Sequence, residues 1–323
     1  MKIAITGSNG FLGSHLAKVA VNAGHETIAL IRPGADLRNL PDNRKLIIEP
    51  IDYKDLCEIN KSISQLKAKY GKIDVLIHNA GLTVSSTPEA YFDVNSTLTK
   101  TLIQAVVSHD WLTSSGKWFQ ISSYAAAGPE GSSEPISYYG RSKLEAEKHV
   151  KNSNLDHIIF RPTGIYGSGD LAFLPLFNAA KWGVYPMLAP TDQRITLIHG
   201  FDVASFVIGQ IGELKKNKTY HLNDGQVYSH SDFKRALEHA FGKRLRTVKL
   251  PTRIVKLFLK INDAIALRSK QSTGLTLEKY NEISESWDLK TKEELHHPKL
   301  TVNYDIKKGF VESHKYYKSL NLI

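Results

Sequence analysis

A doubly wound α/β fold built on a parallel sheet is what three features of the chain predict. Short apolar runs alternate with helical patterns through the first half, a glycine-rich turn joins the first strand to the first helix, and the alternation breaks down after residue 164. Strands of a parallel sheet are buried on both faces, so they read as continuous apolar runs separated by crossover helices.

Residues 2–6 form the first predicted strand, and Gly7-Ser-Asn-Gly10-Phe-Leu-Gly13 turns it directly into a helix over 11–23. Such a turn leaves backbone N–H groups at the positive end of a helix, which suits a pyrophosphate. Gly7 permits the tight turn, Gly10 a close approach of the phosphates, and Gly13 close packing of helix on strand. Further strands are predicted at 27–31, 46–49, 74–78, 118–122 and 157–160, with helices at 56–68, 88–108 and 137–151. Ligands of such sheets bind beyond the carboxyl ends of the strands, here the loops after Ile5, Ile31, Ile77, Ile121 and Phe160. Residues 194–199 and 218–222 read as two more strands of the same sheet, flanking a helix over 201–214. The predicted organisation is a dinucleotide-binding domain of residues 1–163 plus 193–224, and a smaller substrate-binding lobe of 164–192 plus 225–323.

A chain of 323 residues with 41% hydrophobic and 23% charged residues has the composition of a globular protein with a sizeable core. No stretch approaches the roughly 20 apolar residues of a membrane-spanning helix. Cys57 is the only cysteine, so no intrachain disulfide can form, and the first strand starts at once; both lead us to expect a cytoplasmic protein without a leader. A net charge of +10 admits nucleic acid, an anionic membrane surface or a phosphorylated cofactor as partners. There is no recognisable nucleic-acid module and the lysines are scattered, so nucleic acid is not expected. Much of the excess, including Lys243, Arg244, Arg246 and Lys249, reads as a solvated basic face. The helix at 252–267 carries an apolar stripe (Ile254, Leu257, Phe258, Ile261, Ile265) beside Arg253, Lys256 and Lys260. That pattern predicts a core-facing helix with a basic solvent edge, with a membrane-surface or hydrophobic-substrate element as the rarer alternative; membrane association is not expected. His296 and His297 are adjacent, so their side chains diverge and no metal site is predicted.

Tyr139 and Lys143 stand four residues apart, on one face of a helix. A cation near a phenol favours phenolate and would make Tyr139 a usable acid and base. Tyr304 and Lys308 repeat the spacing, but in a charged tail far from the glycine turn. At the end of the second strand, where an acidic side chain would bind the adenosine ribose and repel a 2′-phosphate, stand Ile31 and Arg32, with Arg38 beyond. Guanidinium groups there favour a phosphate. Asp36 is a poorly spaced alternative ribose ligand.

Taken in order, Gly7…Gly10…Gly13, Asp52, His78-Asn-Ala-Gly81, Asn95, Ser122-Ser123, Tyr139…Lys143, Arg161-Pro-Thr-Gly-Ile-Tyr166-Gly167 with Gly169-Asp170, and Phe201-Asp-Val-Ala204 resemble the extended short-chain dehydrogenases/reductases. This is the NAD-dependent epimerase/dehydratase family, with a Rossmann fold, and the pattern is most similar to dihydroflavonol-reductase and 3β-hydroxysteroid-dehydrogenase-like members. The resemblance implies that Ser123 binds the substrate oxygen, Tyr139 exchanges its proton, Lys143 holds the nicotinamide ribose, and Asn95 orients a relay water. It puts the cofactor against Gly7, Asn9, Gly10, Phe11, Leu12, Gly13, Asp52, Tyr53, Asn79, Ala80, Gly81, Ser122, Pro162 and Thr163, with Arg32 and Arg38 at its adenosine end. Thr83, Val84, Tyr124, Tyr166 and Phe173 would line the substrate pocket. Sugar dehydratases of the family carry an Asp-Glu pair where this chain has Tyr124 and Ala125, which disfavours dehydration. The expected activity is therefore an NADP(H)-dependent oxidoreductase of a ketone or aldehyde, with NAD(H) as the other possible cofactor. A nucleotide-sugar epimerase and a non-catalytic cofactor-binding protein are the alternatives. A homodimer would form through helices near 88–108 and 137–153.

Overall fold

The structure is a computed structural model that describes residues 1–131, 134–188, 190–269, 275–288 and 299–323. The strands are β1 Lys2–Thr6, β2 Glu26–Ile31, β3 Leu46–Pro50, β4 Ile73–His78, β5 Leu112–Ile121, β6 His157–Pro162, β7 Gly164–Tyr166, β8 Val184–Met187, β9 Ile195–His199, β10 Lys218–Leu222, β11 Val227–Tyr228 and β12 Arg246–Lys249. The helices are α1 Phe11–Asn22, α2 Leu56–Tyr70, α3 Pro88–Tyr91, α4 Leu98–Ser108, α5 Tyr138–Lys151, α6 Leu174–Lys181, α7 Gly200–Gly209, α8 His230–Phe241, α9 Thr252–Ser269, α10 Leu277–Ser284 and α11 Ile306–Ser319.

Seven strands form one sheet in the order β10-β6-β5-β4-β1-β2-β3, every neighbour parallel. The order reverses between β1 and β4, and this switch point opens the crevice in which such sheets bind ligands. Ile3, Ile5, Val75, Ile77, Phe119 and Phe160 pack one face against α1 and α7, while Ile28, Leu76, Trp118 and Ile159 pack the other against α2 and α4. Burial on both faces explains why these strands are legible as apolar runs.

Two sequence expectations need correction. The strand at 195–199 does not join the main sheet: β9 pairs in parallel with β7 and antiparallel with β11 in a separate three-stranded sheet. Gly164 permits this, because a Cβ there would stand 2.7 Å from a methyl of Leu197. The apolar stripe of α9 does not face the core either. Ile254, Leu257, Phe258, Ile261 and Ile265 are 55 to 67% exposed, and the helix packs instead through Leu259 and the half-buried Val255. Both rows are apolar at helical spacing, so periodicity alone does not decide which one turns inward. His296 and His297 lie outside the described residues.

A second core, from α6, α8, α11, β8 and β9, centres on Phe177, Phe233, Phe310 and Tyr317. The two halves meet in part at the buried Asp202, which accepts from the backbone amides of Asn303 and Tyr304 at 3.1 Å each.

Beneath the end of β5, Glu147 of α5 is wholly buried. It accepts from the hydroxyl of Ser122 at 2.6 Å and from Nε and Nη2 of Arg161 at 2.7 Å each. Glu147→Ala leaves the Arg161 guanidinium without its partner and is expected to cost about 3–5 kcal/mol of unfolding free energy. Urea unfolding of the two proteins checks this; a loss below about 1 kcal/mol would show that the pair is not what ties α5 to the sheet.

Candidate active site

At the switch point, Gly7 has φ +65°, and a Cβ there would stand 2.9 Å from Cα of Ala80. A Cβ on Gly13 would fall 2.0 Å from the Gly7 carbonyl oxygen. Both contacts are with backbone, so neither position tolerates a side chain while the turn keeps its shape. Gly10 occupies the N-cap of α1 with no side-chain cap, and the first turn carries no acidic residue. The N-terminal end of α1 is thus open to an anion. Asn9 donates to the Asp36 carbonyl at 3.2 Å, tying the turn to the loop after β2. Phe11 fills the space beside Gly169 and Gly200, whereas the Leu12 side chain lies in the core between sheet and helix.

Thr6 draws β1 and β4 together. Its hydroxyl accepts from the amides of Asn79 and Ala80 at 3.1 and 3.0 Å, and pairs with Nδ1 of His78 at 2.9 Å. Burial, reinforced by the Lys143 charge, drives the His78 pKa down to about 3, so its imidazole is neutral and serves as a strut. Nε2 of His78 reaches Thr99, which donates to the carbonyl of Asn95.

Asn95 lies in a π-helical turn, Phe92–Thr97, inserted between α3 and α4. Such turns recur at functional sites because they re-aim a side chain. Asn95 accepts from the Leu82 amide at 2.8 Å and donates to the Leu82 carbonyl and to the Ser142 hydroxyl at 2.9 Å each. A Cβ on Gly81 would stand 3.0 Å from Oδ1 of Asn95 and 3.3 Å from Nζ of Lys143, so the loop after β4, Asn95 and the lysine converge there.

Tyr139 and Lys143 are both buried. Ser123, whose hydroxyl accepts from the Ala125 amide at 3.2 Å, lies near the phenol. The lysine ammonium donates to the Ile121 carbonyl at 2.8 Å. The tyrosine is not predisposed to phenolate as the sequence led us to expect: burial pushes its pKa well above the usual phenol value, Ser123 pulls it back in part, and Glu282 adds to the rise. Burial lowers Lys143 to about 8, against the nearby Glu147 carboxylate, which raises it.

Other proposed residues scatter more. Ser122, expected against the cofactor, gives its hydroxyl to Glu147. Pro162 ends β6 and Thr163 follows it, with the Thr163 amide donating to the Leu222 carbonyl at 2.9 Å. Arg32 is exposed at the end of β2, and its charge opposes the rise that burial causes in the half-buried Tyr53. Arg38 pairs with Asp36 at 2.7 Å, and Asp52 is exposed and caps the Lys54 amide at 2.9 Å. Thr83 and Val84 follow Leu82 in the loop held by Asn95, and Tyr124 packs against Trp287. Tyr166 and Phe173 belong to the second core instead, packed on each other and on Phe310. Tyr304 stacks on His199 at 4.0 Å, away from Tyr139.

Sequence reasoning missed the group that covers the tyrosine. Lys279 of α10 stands 5.0 Å above the Tyr139 ring, and Glu278 accepts from the Tyr138 amide at 2.7 Å and from the Tyr91 hydroxyl at 3.2 Å. Trp287 packs edge-on against Tyr124 and against the cluster of Tyr91, Ala125 and Tyr139. Nothing in the spacing of these residues signals that they meet the site. Glu147 was legible, since it continues the Tyr139–Lys143 column by a further four residues.

Gly13→Ala is expected to abolish binding of nicotinamide cofactor, read by quenching of tryptophan fluorescence. Unchanged affinity would show that the glycine turn does not carry the cofactor.

A sequence profile of the NAD dependent epimerase/dehydratase family matches residues 3–222. A ceramide reductase of Caulobacter vibrioides is 30% identical over 255 residues, 77% of this chain and 73% of that protein. A 3-beta-hydroxysteroid dehydrogenase of Mycolicibacterium neoaurum is 25% identical over 274 residues, 79% of this chain and 74% of that protein. The solved structure of a UDP-glucuronic acid 4-epimerase from Bacillus cereus in complex with NAD superimposes with a TM-score of 0.71 at 20% identity, covering 99% of each chain. With its seven-stranded parallel sheet, its glycine turn at the switch point and a family match over residues 3–222, this chain belongs to the NAD-dependent epimerase/dehydratase family.

Proposed function

We propose that this protein is an NADP(H)-dependent reductase of a ketone or aldehyde, using Ser123, Tyr139 and Lys143. The observation that carries the reading is the buried trio itself: a phenol that burial keeps protonated, a serine at the strand ends near enough to pull its pKa back in part, and a buried ammonium one helical turn away. The glycine turn, the loop Asn79-Ala80-Gly81 and the end of β6 are the residues that would hold the cofactor, which supplies a hydride to the substrate carbonyl carbon when bound.

Ser123 donates a hydrogen bond to the carbonyl oxygen and holds it near the phenol. Tyr139 delivers its proton to that oxygen as charge develops, so the carbonyl becomes an alcohol and the tyrosine a phenolate. Burial keeps Tyr139 protonated at neutral pH, which is the form needed to donate. Lys143, with a pKa of about 8, remains largely cationic at neutral pH and stabilises the phenolate left behind. Asn95 and Ser142 keep the lysine-bearing turn and the Leu82 loop in register. The resemblance to a ceramide reductase and a 3-beta-hydroxysteroid dehydrogenase supports a substrate with a large apolar body.

Preference for the 2′-phosphorylated cofactor rests on Arg32, exposed where an acid would mark NAD, and on Asp36, whose carboxylate is occupied by Arg38 and held below the usual range by it. Arg32→Ala is expected to weaken NADPH binding about tenfold or more with little effect on NADH, the scale of one charge-assisted contact. Titration of both cofactors checks it, and equal wild-type affinities would remove the argument.

The activity is tested by screening long-chain and polycyclic ketones, and nucleotide-sugars, with the reduced cofactor. We expect reduced cofactor to be consumed in proportion to alcohol formed, and Tyr139→Phe to lower turnover by about 10² or more with cofactor affinity retained. Conversion of a nucleotide-sugar without net loss of reduced cofactor would establish an epimerase instead.

A further inference from the structure

The apolar stripe of α9 and its basic flank are unaccounted for by cofactor or catalysis. Ile254, Phe258, Ile261 and Ile265 fall within about 60° of one another at 100° per residue, and Leu257 borders them. Phe258 is 67% exposed, Ile254 61%, and Leu257 and Ile265 60% each. Single exposed aliphatic residues are ordinary on a protein surface, whereas a continuous row along about three turns marks a contact surface. Leu250, 40% exposed just before the helix, extends the row.

Beside the row runs a line of exposed cations: Arg246 and Lys249 on β12, then Arg253, Lys256 and Lys260 on α9. None pairs with a carboxylate among the described residues. The one acid of the described part of α9, Asp263, is taken up by α10, accepting from the Leu277 amide at 2.8 Å. Around the helix, an exposed apolar face, a packed face of Val255 and Leu259, and a basic flank therefore follow one another. Between the apolar face and Leu188 and Leu250 opens a cleft of 430 Å³, lined also by Leu275, whose only polar wall residue among the described residues is Asn262.

We propose that α9 docks this protein in the plane of an anionic lipid bilayer. The stripe would sit at the acyl boundary, the lysines and arginines at the headgroups, and the cleft would accept an acyl chain. An apolar protein partner would account for the stripe but not for the aligned cations; a bilayer carrying negative headgroups accounts for both. No helix among the described residues is long and apolar enough to cross a membrane, so the contact is interfacial. This reverses the sequence-based expectation of no membrane association, which assumed the stripe was buried. Because α10 links α9 to the Lys279 side chain above Tyr139, docking would hold the mouth of the site near the bilayer. Docking itself requires no turnover, so its test is independent of the reductase reading.

The test is co-sedimentation of the full chain with vesicles of phosphatidylglycerol mixed with phosphatidylcholine, and with phosphatidylcholine alone. We expect binding to the anionic vesicles that weakens as salt rises, and weak binding to the neutral ones. Phe258→Asp with Ile261→Asp should weaken it about tenfold or more, and Lys256→Glu with Lys260→Glu should remove most of the salt-dependent part. All four positions are exposed, so the variants should melt at the wild-type temperature. Absence of binding to anionic vesicles, or binding unchanged in both variants, overturns the proposal. A wild-type dimer in sedimentation velocity that Phe258→Asp splits would overturn it in favour of a second copy as the occupant.

Discussion

The site depends on one buried carboxylate. Glu147 lies two turns along α5 from Tyr139 and one turn from Lys143, on the same helical face, and it is pinned from two strands at once by Ser122 at the end of β5 and Arg161 in β6. A bidentate carboxylate–guanidinium pair has narrow geometry, so it fixes both the height and the rotation of α5 against the sheet. Lys143 bonding to the Ile121 carbonyl repeats the constraint nearer the site. Burying charges to do this is a poor way to gain stability, since desolvation offsets most of the attraction. What the arrangement secures is position: the phenol is delivered to the ends of the strands beside Ser123.

Burial also sets the protonation of the trio, and in opposite senses. It raises the phenol, because the anion is the charged form, and lowers the lysine, because the cation is. The sequence suggests that the lysine depresses the tyrosine. In the folded protein the ammonium is turned to the Ile121 carbonyl, and burial, with the Glu282 carboxylate adding to it, raises the phenol instead. The outcome is a neutral phenol above a largely protonated lysine, a state suited to proton donation.

Much of the dinucleotide half is legible in the sequence for a reason of distance. The glycine turn, Arg32, Ser123 and Tyr139 each stand at or near the end of the strand or helix that bears them, so local pattern and the rule about strand ends are enough to find them. The misplacements share a different cause. Pairing of β9 with β7 depends on Gly164 admitting Leu197 across a long connection. Assigning Tyr166 and Phe173 to the substrate pocket failed because aromatic residues after β6 serve a second core around Phe310, which apolar content cannot distinguish from a pocket wall. The π-helical turn around Asn95 adds one residue to a helix that periodicity reads as continuous over 88–108. For α9, two apolar rows compete for the same helix, and tertiary contact chose the shorter.

The family match ends at residue 222, and that boundary divides the site. Everything that would hold the cofactor or transfer the proton lies before it, in elements the parallel sheet positions. Lys279, Glu282 and Trp287, which close over Tyr139 and Tyr124, lie beyond it and come from α10 and the segment after it. Trp287 is itself stitched to β9 through the Thr196 amide at 2.9 Å, so the cover is joined to the smaller sheet and not to the large one. Tyr139 is thus held by one part of the chain and covered by another. α9, tethered to that cover through Asp263, belongs to the same part of the chain, so the exposed apolar stripe and the cover of Tyr139 are mechanically one unit beyond the family match.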